Sequence, residues 1–421
     1  MKSQFRSAGN AGPIRTAPWP ARGLIGSEEK QAVAALFDRA IASGKAPGYG
    51  GPEEEAYCTE FAESMGGGYC DAVSSGTAAL YVALRALELE PFTEVVVACV
   101  TDPGGMMPIP LLNCIPVPAD TAPGRYNAGA EQVEAAITPL TSAIVIAHIF
   151  GEPADMDGIL AVARRHKLPV VEDCAQAHGA MLNGRPLGTF GDCAVFSTMF
   201  GKHHCTGGQG GIVFTRDKEL LQNVRRFADR GKPYGLPPGT TNQVASLNFN
   251  FSEIAAAIGR QQLRKLPGIV QRIRAVADGI RAELKDCTGL CVPTPAPGAE
   301  PSYWKLRIEF RSEAMSCDKA AFCDALRAKG LTCIMQDYYA AMPHLQDWFV
   351  QRRVFGSSGY PWISPAYRGD AKRTFPCPNA MAAMERFFAL LCNESWTAQE
   401  IEDAAAILKK TEREKRKPSA G

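Results

Sequence analysis

Short runs of consecutive apolar, β-branched residues alternate along this chain with longer stretches of helical character. Residues 94–100, 142–147, 168–171, 193–196 and 211–215 are of the first kind and predict strands buried on both faces. Residues 77–89, 158–166 and 218–230 lie between them and predict helices. Such alternation implies an α/β fold, a mostly parallel sheet covered by helices in three layers. A long helical stretch from 252 to about 286 then leaves this layer. Pro267-Gly268 is expected to interrupt it, because proline removes a backbone donor and crowds the preceding turn. Beyond the proline-rich loop 293–301 a strand at 303–310, a helix at 317–329 and a last helix at 397–410 predict a smaller α+β domain. The expected division is an arm 1–27 containing Pro18-Trp19-Pro20, a large domain 28–268, a small domain 269–412 and a flexible tail 413–421.

Composition narrows the function. A chain of 421 residues suits two domains, and 46% hydrophobic with 21% charged residues is ordinary for a globular protein. A net charge of +1 gives no electrostatic case for nucleic acid or membrane. The basic run 409–417 is expected to be a solvated, frayed end. No segment offers the ~18 apolar residues that span a bilayer, and Met1-Lys2-Ser3-Gln4 opens no apolar signal core, so a cytoplasmic protein is expected. The 14 cysteines are scattered without a C-x-x-C pair; Cys99, Cys193 and Cys333 sit in apolar runs as small core residues. His203 and His204 precede Cys205, but adjacent side chains point in different directions, so no metal is expected.

Three segments carry possible chemistry. Ser74-Ser75-Gly76-Thr77-Ala78 stands directly before a helix, where free N–H groups and the dipole favour a phosphate; a plain N-cap would look the same. Glu172-Asp173 closes a buried strand at the edge where open α/β sheets bind ligands. Asp173 could pair with a protonated pyridine nitrogen, ligate a metal or cap a helix. Lys202 follows the strand that ends at Phe196-Ser197 and precedes Thr206-Gly-Gly-Gln-Gly-Gly211. A lysine so presented is a candidate Schiff-base nucleophile, whereas an isolated lysine is ordinarily solvated surface. Phosphate loop, strand-end aspartate and lysine occur in an order that one α/β domain can bring together.

In these segments the chain resembles the DegT/DnrJ/EryC/StrS sugar aminotransferases, a pyridoxal-phosphate (PLP)-dependent family of the aspartate aminotransferase fold. The likeness rests on Ser75-Gly-Thr-Ala-Ala-Leu80, Glu172-Asp-Cys-Ala-Gln-Ala-His-Gly179, Phe196-Ser-Thr-Met-Phe-Gly-Lys202 and Asn248-Phe-Asn-Phe-Ser-Glu-Ile-Ala-Ala-Ala-Ile-Gly259. It covers residues 28–290 well and the remainder loosely, where Ser302-Tyr-Trp304 and 336–339 fall among substrate-side elements. It implies that Lys202 forms the Schiff base with pyridoxal 5'-phosphate and that Asp173 holds the pyridine nitrogen. By the same likeness Gln176 lies near the ring hydroxyl, and Ser75, Gly76, Thr77 and Ser197 cradle the phosphate. Asn248 would reach the phosphate from a second subunit, which implies a homodimer with shared active sites.

Three positions depart from the pattern. Where the family stacks an aromatic ring on the cofactor after a threonine, Thr101 is followed by Asp102-Pro103-Gly104-Gly105. The expected arginine two residues after Asn248 is Asn250, and the turn after Lys202 lacks its common acidic residue. The resemblance implies transfer of an amino group from glutamate or glutamine to a keto sugar or keto cyclitol. Two alternatives are a PLP-dependent sugar dehydratase, which would carry histidine in place of Lys202, and a non-catalytic PLP-binding regulator. A nicotinamide-binding fold fails for want of G-x-G-x-x-G after the first strand.

Overall fold

A computed structural model describes residues 12–418. Seven strands make the central sheet: β1 (Tyr69–Val73), β2 (Glu94–Ala98), β3 (Ile115–Ala119), β4 (Thr141–Ala147), β5 (Val170–Asp173), β6 (Cys193–Ser197) and β7 (Gly211–Thr215). Their spatial order is β1-β7-β6-β5-β4-β2-β3, and β7 alone runs against its neighbours. All five expected strands are present. The two unexpected ones are β1 and β3, the edges of the sheet. Pro116 and Pro118 argue against a strand, yet β3 tolerates them. Ile115 N–H donates to Thr93 O at 2.8 Å and Ala119 O accepts from Cys99 at 2.9 Å, so the odd positions face β2. The prolines turn their missing donors away from the sheet, which only an edge allows.

Alternation along each strand feeds two cores. Ile144 and Ile146 of β4 join Tyr57, Phe61, Phe196 and Phe214 on one face, while Ala143 and Val145 join Leu80, Leu84 and Val213 on the other. The expected helices are observed as Gly76–Ala86, Met156–His166 and Lys218–Ala228, opened by side-chain caps from Ser75, Asp155 and Asp217.

The helix Glu253–Glu283 runs unbroken through Pro267, against the expected interruption. A proline inside a helix costs about 3 kcal/mol. Burying Leu263, Leu266, Ile269, Val270, Ile273, Val276 and Ile280 on one stripe offsets that, at about 1.5–3 kcal/mol for each large side chain. The same helix crosses the expected domain boundary at 268.

A second sheet of four strands, β8 (Leu290–Cys291), β9 (Leu306–Phe310), β10 (Ile334–Met335) and β11 (Phe387–Leu390), lies in the order β8-β9-β11-β10. It packs with helices Lys319–Ala328 and Ala398–Lys415 around Phe310, Phe322, Phe388 and Leu408. The segment between, expected within this smaller domain, instead sends Tyr338, Met342, Phe349, Trp362 and Tyr367 into the cores of the large sheet. Tyr367 O–H donates to Glu94 at 2.7 Å there. Position in sequence does not fix which core an aromatic side chain joins.

The basic run is not frayed. The last helix extends to Lys415, past the expected start of the tail at 413, and Lys415 O and Ala314 O accept from Ser316 and Lys417. The arm from residue 12 has neither helix nor strand. Trp19 stacks on Trp396 with centroids 4.7 Å apart, and Arg15 pairs with Glu400 and Asp403. Residues 1–11 of the arm and 419–421 of the tail lie outside the described residues.

Candidate active site

The parallel strands end together, and so do the segments that follow them. Ser74–Ala78 after β1, Thr101–Gly105 after β2, His148–Phe150 after β4, Asp173–Gln176 after β5 and Ser197–Lys202 after β6 share one sheet edge with the start of β7. This is the edge where open α/β sheets bind ligands.

Neighbouring acids at the end of β5 part company, because successive strand side chains point to opposite faces. Glu172 is fully buried and accepts from the backbone N–H groups of Gly188, Phe190 and Gly191 at 2.7–2.9 Å and from His148 at 3.1 Å. It is spent on structure. Asp173 faces the open edge. Its Oδ1 accepts from Ala175 N–H at 3.0 Å, and Gly105 packs so close that a Cβ there would lie 3.0 Å from Oδ2. Burial raises its carboxyl above the usual range, opposed by the Ala175 N–H and by Lys202.

Lys202 is 7% exposed, so it is no solvated surface lysine. Its ammonium lies 3.9 Å from the Trp304 ring centroid. Burial lowers its pKa to about 8, against the pull of Asp173 and Asp102. The turn that carries it is held by Trp304 Nε1–H donating to Gly201 O at 3.0 Å and by Lys202 N–H donating to Met199 O at 2.9 Å. His203 and His204 diverge, as adjacency suggested: His203 Nε2 meets Ser302 O and His204 Nε2 meets the Tyr57 hydroxyl, both at 2.9 Å. Burial drives both far below the normal imidazole pKa.

At the other end of the pocket backbone replaces side chains. Ser75 caps the helix Gly76–Ala86 by accepting from Ala78 N–H at 3.1 Å. A Cβ on Gly76 would fall 2.7 Å from Ser197 Cβ, and one on Gly211 would fall 2.3 Å from Ser75 O. Only glycine lets β1, β6 and β7 close up here, leaving a helix N-terminus flanked by Thr77 and Ser197 that could hold a phosphate. Thr77 also touches the turn after β2, where a Cβ on Gly104 would lie 2.3 Å from Thr77 Oγ1.

Asp102, where an aromatic residue was expected, opens a 3-10 turn by accepting from Gly104 N–H at 2.9 Å. Glycine backbone, not a ring, thus lies against Asp173 and Thr77. Gln176 is fixed from both sides: Oε1 accepts from Phe150 N–H at 2.8 Å, and Nε2 donates to the Tyr338 hydroxyl at 3.2 Å. Asn248 is exposed, with Oδ1 accepting from Asn250 N–H and Nδ2 at 3.0 and 2.7 Å. It does not cap the helix that follows; Ser252 does. Its neighbour Phe249 O accepts from Ser74 N–H of the same chain at 2.9 Å, which puts this segment beside the phosphate cradle.

Sequence reasoning missed Phe150, Trp304 as a ring over Lys202, and Lys305. Phe150 comes from the turn after β4, more than 150 positions from the adjacent Trp304 and Lys305 that lead into β9, so no single motif joins them. It also missed the approach of Cys99, Asp120 and Cys377, whose ligating atoms lie within 4.8 Å of one another, since no local spacing announces such a group.

A buried amine without a carboxylate in contact, a buried carboxylate without a cation in contact, and a glycine-built cradle at a helix N-terminus suit one group. That group carries an aldehyde, a basic ring nitrogen and a phosphate, so the site is that of a PLP-dependent enzyme of the large transferase fold. The profile of the DegT/DnrJ/EryC1/StrS aminotransferase family matches residues 26–361, and the chain belongs to that family. Its cofactor is pyridoxal 5'-phosphate and its reaction is amino transfer. The chain is 31% identical to dTDP-3-amino-3,4,6-trideoxy-alpha-D-glucose transaminase of Streptomyces venezuelae, over 81% of this chain and 82% of that one. It is 34% identical to L-glutamine:2-deoxy-scyllo-inosose aminotransferase of Micromonospora echinospora, over 70% and 73% respectively. The solved structure of an aminotransferase from Psychrobacter cryohalolentis superposes with a TM-score of 0.80 at 28% identity, covering 94% of this chain and 99% of that one.

Proposed function

We propose that Lys202 and Asp173 are the catalytic pair and that the enzyme moves nitrogen from glutamine or glutamate to a neutral, polyhydroxylated cyclic ketone. The observation that carries the catalytic assignment is the amine of Lys202, buried against the Trp304 ring at the sheet edge that Asp173 also faces, where burial brings its pKa to about 8. An amine so poised attacks a carbonyl at neutral pH and, once free, takes a proton from the substrate carbon and returns it; such acid–base help is worth roughly 10²–10⁴-fold. The bound cofactor supplies an electron sink for the charge left on that carbon. Asp173 would hold the ring nitrogen protonated, Gln176 would meet the ring hydroxyl, and Ser75, Gly76, Thr77 and Ser197 would receive the phosphate. The Trp304–Gly201 bond keeps the lysine turn from swinging away. Asp102, presented on the turn where a stacking ring would sit, accepts hydrogen bonds from sugar or cyclitol hydroxyls and repels a diphosphate. That favours an unactivated ring over a nucleotide-linked one, in line with the cyclitol named for the Micromonospora relative.

A homodimer in the cytoplasm with shared sites completes the proposal. Phe200 and Leu247, 69% and 62% exposed, flank the lysine turn and Asn248 as apolar surface that a second copy would cover. Incubation with glutamine and, separately, a keto cyclitol, a free keto sugar and a nucleotide-linked keto sugar, read by mass spectrometry, tests the acceptor. Amination of a neutral ring is expected. Amination confined to the nucleotide-linked ketone would overturn the role given to Asp102.

A further inference from the structure

Lys305 brings a second amine to the same pocket. Its Nζ lies 4.4 Å from the ring centroid of Trp304, 4.5 Å from that of Tyr338 and 5.4 Å from that of Phe150. Its only hydrogen-bond partner among the described residues is Met335 Sδ at 3.4 Å, and no carboxylate stands within ion-pair distance. The charges that face it are Lys202, which disfavours its proton, and Asp102, which favours it; burial is the larger effect and lowers the amine to about 8. Three aromatic faces ease a cation without neutralising it. A half-buried ammonium beside a second one is therefore short of an anion.

The cage is rigid. Phe150 holds a left-handed backbone at φ 60°, unusual for a bulky residue, pinned by Trp304 N–H donating to its carbonyl at 2.8 Å and by Gln176 on its own N–H. Tyr338 is tied to the same Gln176. The elements that orient the Gln176 amide thus also hold the Lys305 amine against Trp304, the ring that Lys202 meets as well. Arg22, the third charge near Lys202, pairs with Glu394 at 3.2 Å, and position 250 offers an amide.

We infer that Lys305 anchors the α-carboxylate of the amino donor. This rests on the amino-transfer reading above, in which every donor is an α-amino acid whose carboxylate enters one bond away from the reacting carbon. An ammonium caged by Trp304, Tyr338 and Phe150, with no carboxylate partner among the described residues, meets that carboxylate, while Asp102 turns to a ring without charge.

Glutarate, glutamate without its amino group, presents a carboxylate to this contact, and glutamine, whose side chain is a neutral amide, leaves the α-carboxylate as its one anion. Titration calorimetry of the cofactor-loaded protein should show glutarate about tenfold or more weaker on Lys305→Met, with Lys305→Arg keeping most of the affinity. In separate half-reactions followed by cofactor absorbance, the KM for glutamine should rise about as much with kcat little changed. The constant for a neutral keto cyclitol should stay within about twofold. Unchanged glutarate and glutamine constants in a folded Lys305→Met protein would overturn the assignment, as would a shift confined to the acceptor. Lys305→Gln serves if the methionine variant does not fold. Should the wild type carry cofactor but transfer no nitrogen, the functional reading fails while the glutarate comparison still judges Lys305.

Discussion

The proposed phosphate end of the pocket, Ser74–Ala78 with Ser197 and Gly211, is backbone closed up by glycine. The opposite end, Thr101–Gly105 with Phe150, Trp304, Lys305 and Tyr338, is an assembly of side chains from separate parts of the chain. The first kind of wall binds what every member of such a family must bind, because backbone N–H groups at a helix N-terminus recognise any phosphate. The second kind discriminates among substrates, since its groups are individually replaceable. The contrast recurs within one dipeptide, where Glu172 is locked into a turn by three backbone donors and Asp173 is left with one.

That dipeptide gives the largest effects. On the proposed role of Asp173, Asp173→Asn removes the charge that would keep the ring nitrogen protonated, so amino transfer should fall by about 10²–10⁴-fold while melting temperature and some cofactor binding persist. Near-normal turnover would place the electron-sink role elsewhere. Glu172→Ala should do the reverse: it strips acceptors from buried N–H groups at about 1–3 kcal/mol each, so the fold destabilises by about 3 kcal/mol or more. Chemical denaturation of the two variants side by side reads the difference.

Smaller is the effect of crowding the cradle. Gly76→Ala sets a methyl 2.7 Å from Ser197 Cβ and must push β6 from the helix. Cofactor affinity should drop about tenfold, with the reaction of whatever binds little altered. An unchanged affinity, measured by absorbance titration of the apoprotein, would show that the phosphate lies elsewhere.

The smallest and most discriminating signal concerns who completes the cradle. Asn248 sits beside Ser74 of its own chain, yet its side chain turns toward Asn250. If sites are shared across a dimer, a Lys202→Ala chain mixed with an Asn248→Ala chain should recover a fraction of wild-type activity, because one site of the hybrid has both residues intact. Verified hybrids of inactive dimeric parents that stay inactive would mean that each site is built within one chain.

The sequence was legible where local grammar is strong. Buried strands, capped helices and the motifs around Asp173, Gln176 and Lys202 are contiguous, so the fold class and the gathering of these segments at one sheet edge follow from short windows. β3 was illegible because its prolines are tolerated only at an edge, and being at an edge is a tertiary property. Pro267 was misjudged because the stripe that offsets it spans the whole helix. Tyr338, Phe349, Trp362 and Tyr367 belong to a core far away in sequence. Lys305 failed for the same reason: next to Trp304 it is one more charged residue before a strand, and only Phe150 and Tyr338 make it a pocket amine.

The central claim is that Lys202 is the residue that holds the cofactor. Borohydride reduction of the coloured protein, followed by proteolysis and mass spectrometry, tests it most directly. One modified peptide is expected, spanning Phe196–Gly211 with the cofactor fixed on Lys202, and Lys202→Ala should stay folded and unmodified. Cofactor fixed on Lys305, Lys167 or Lys232, or on no lysine, would contradict the account.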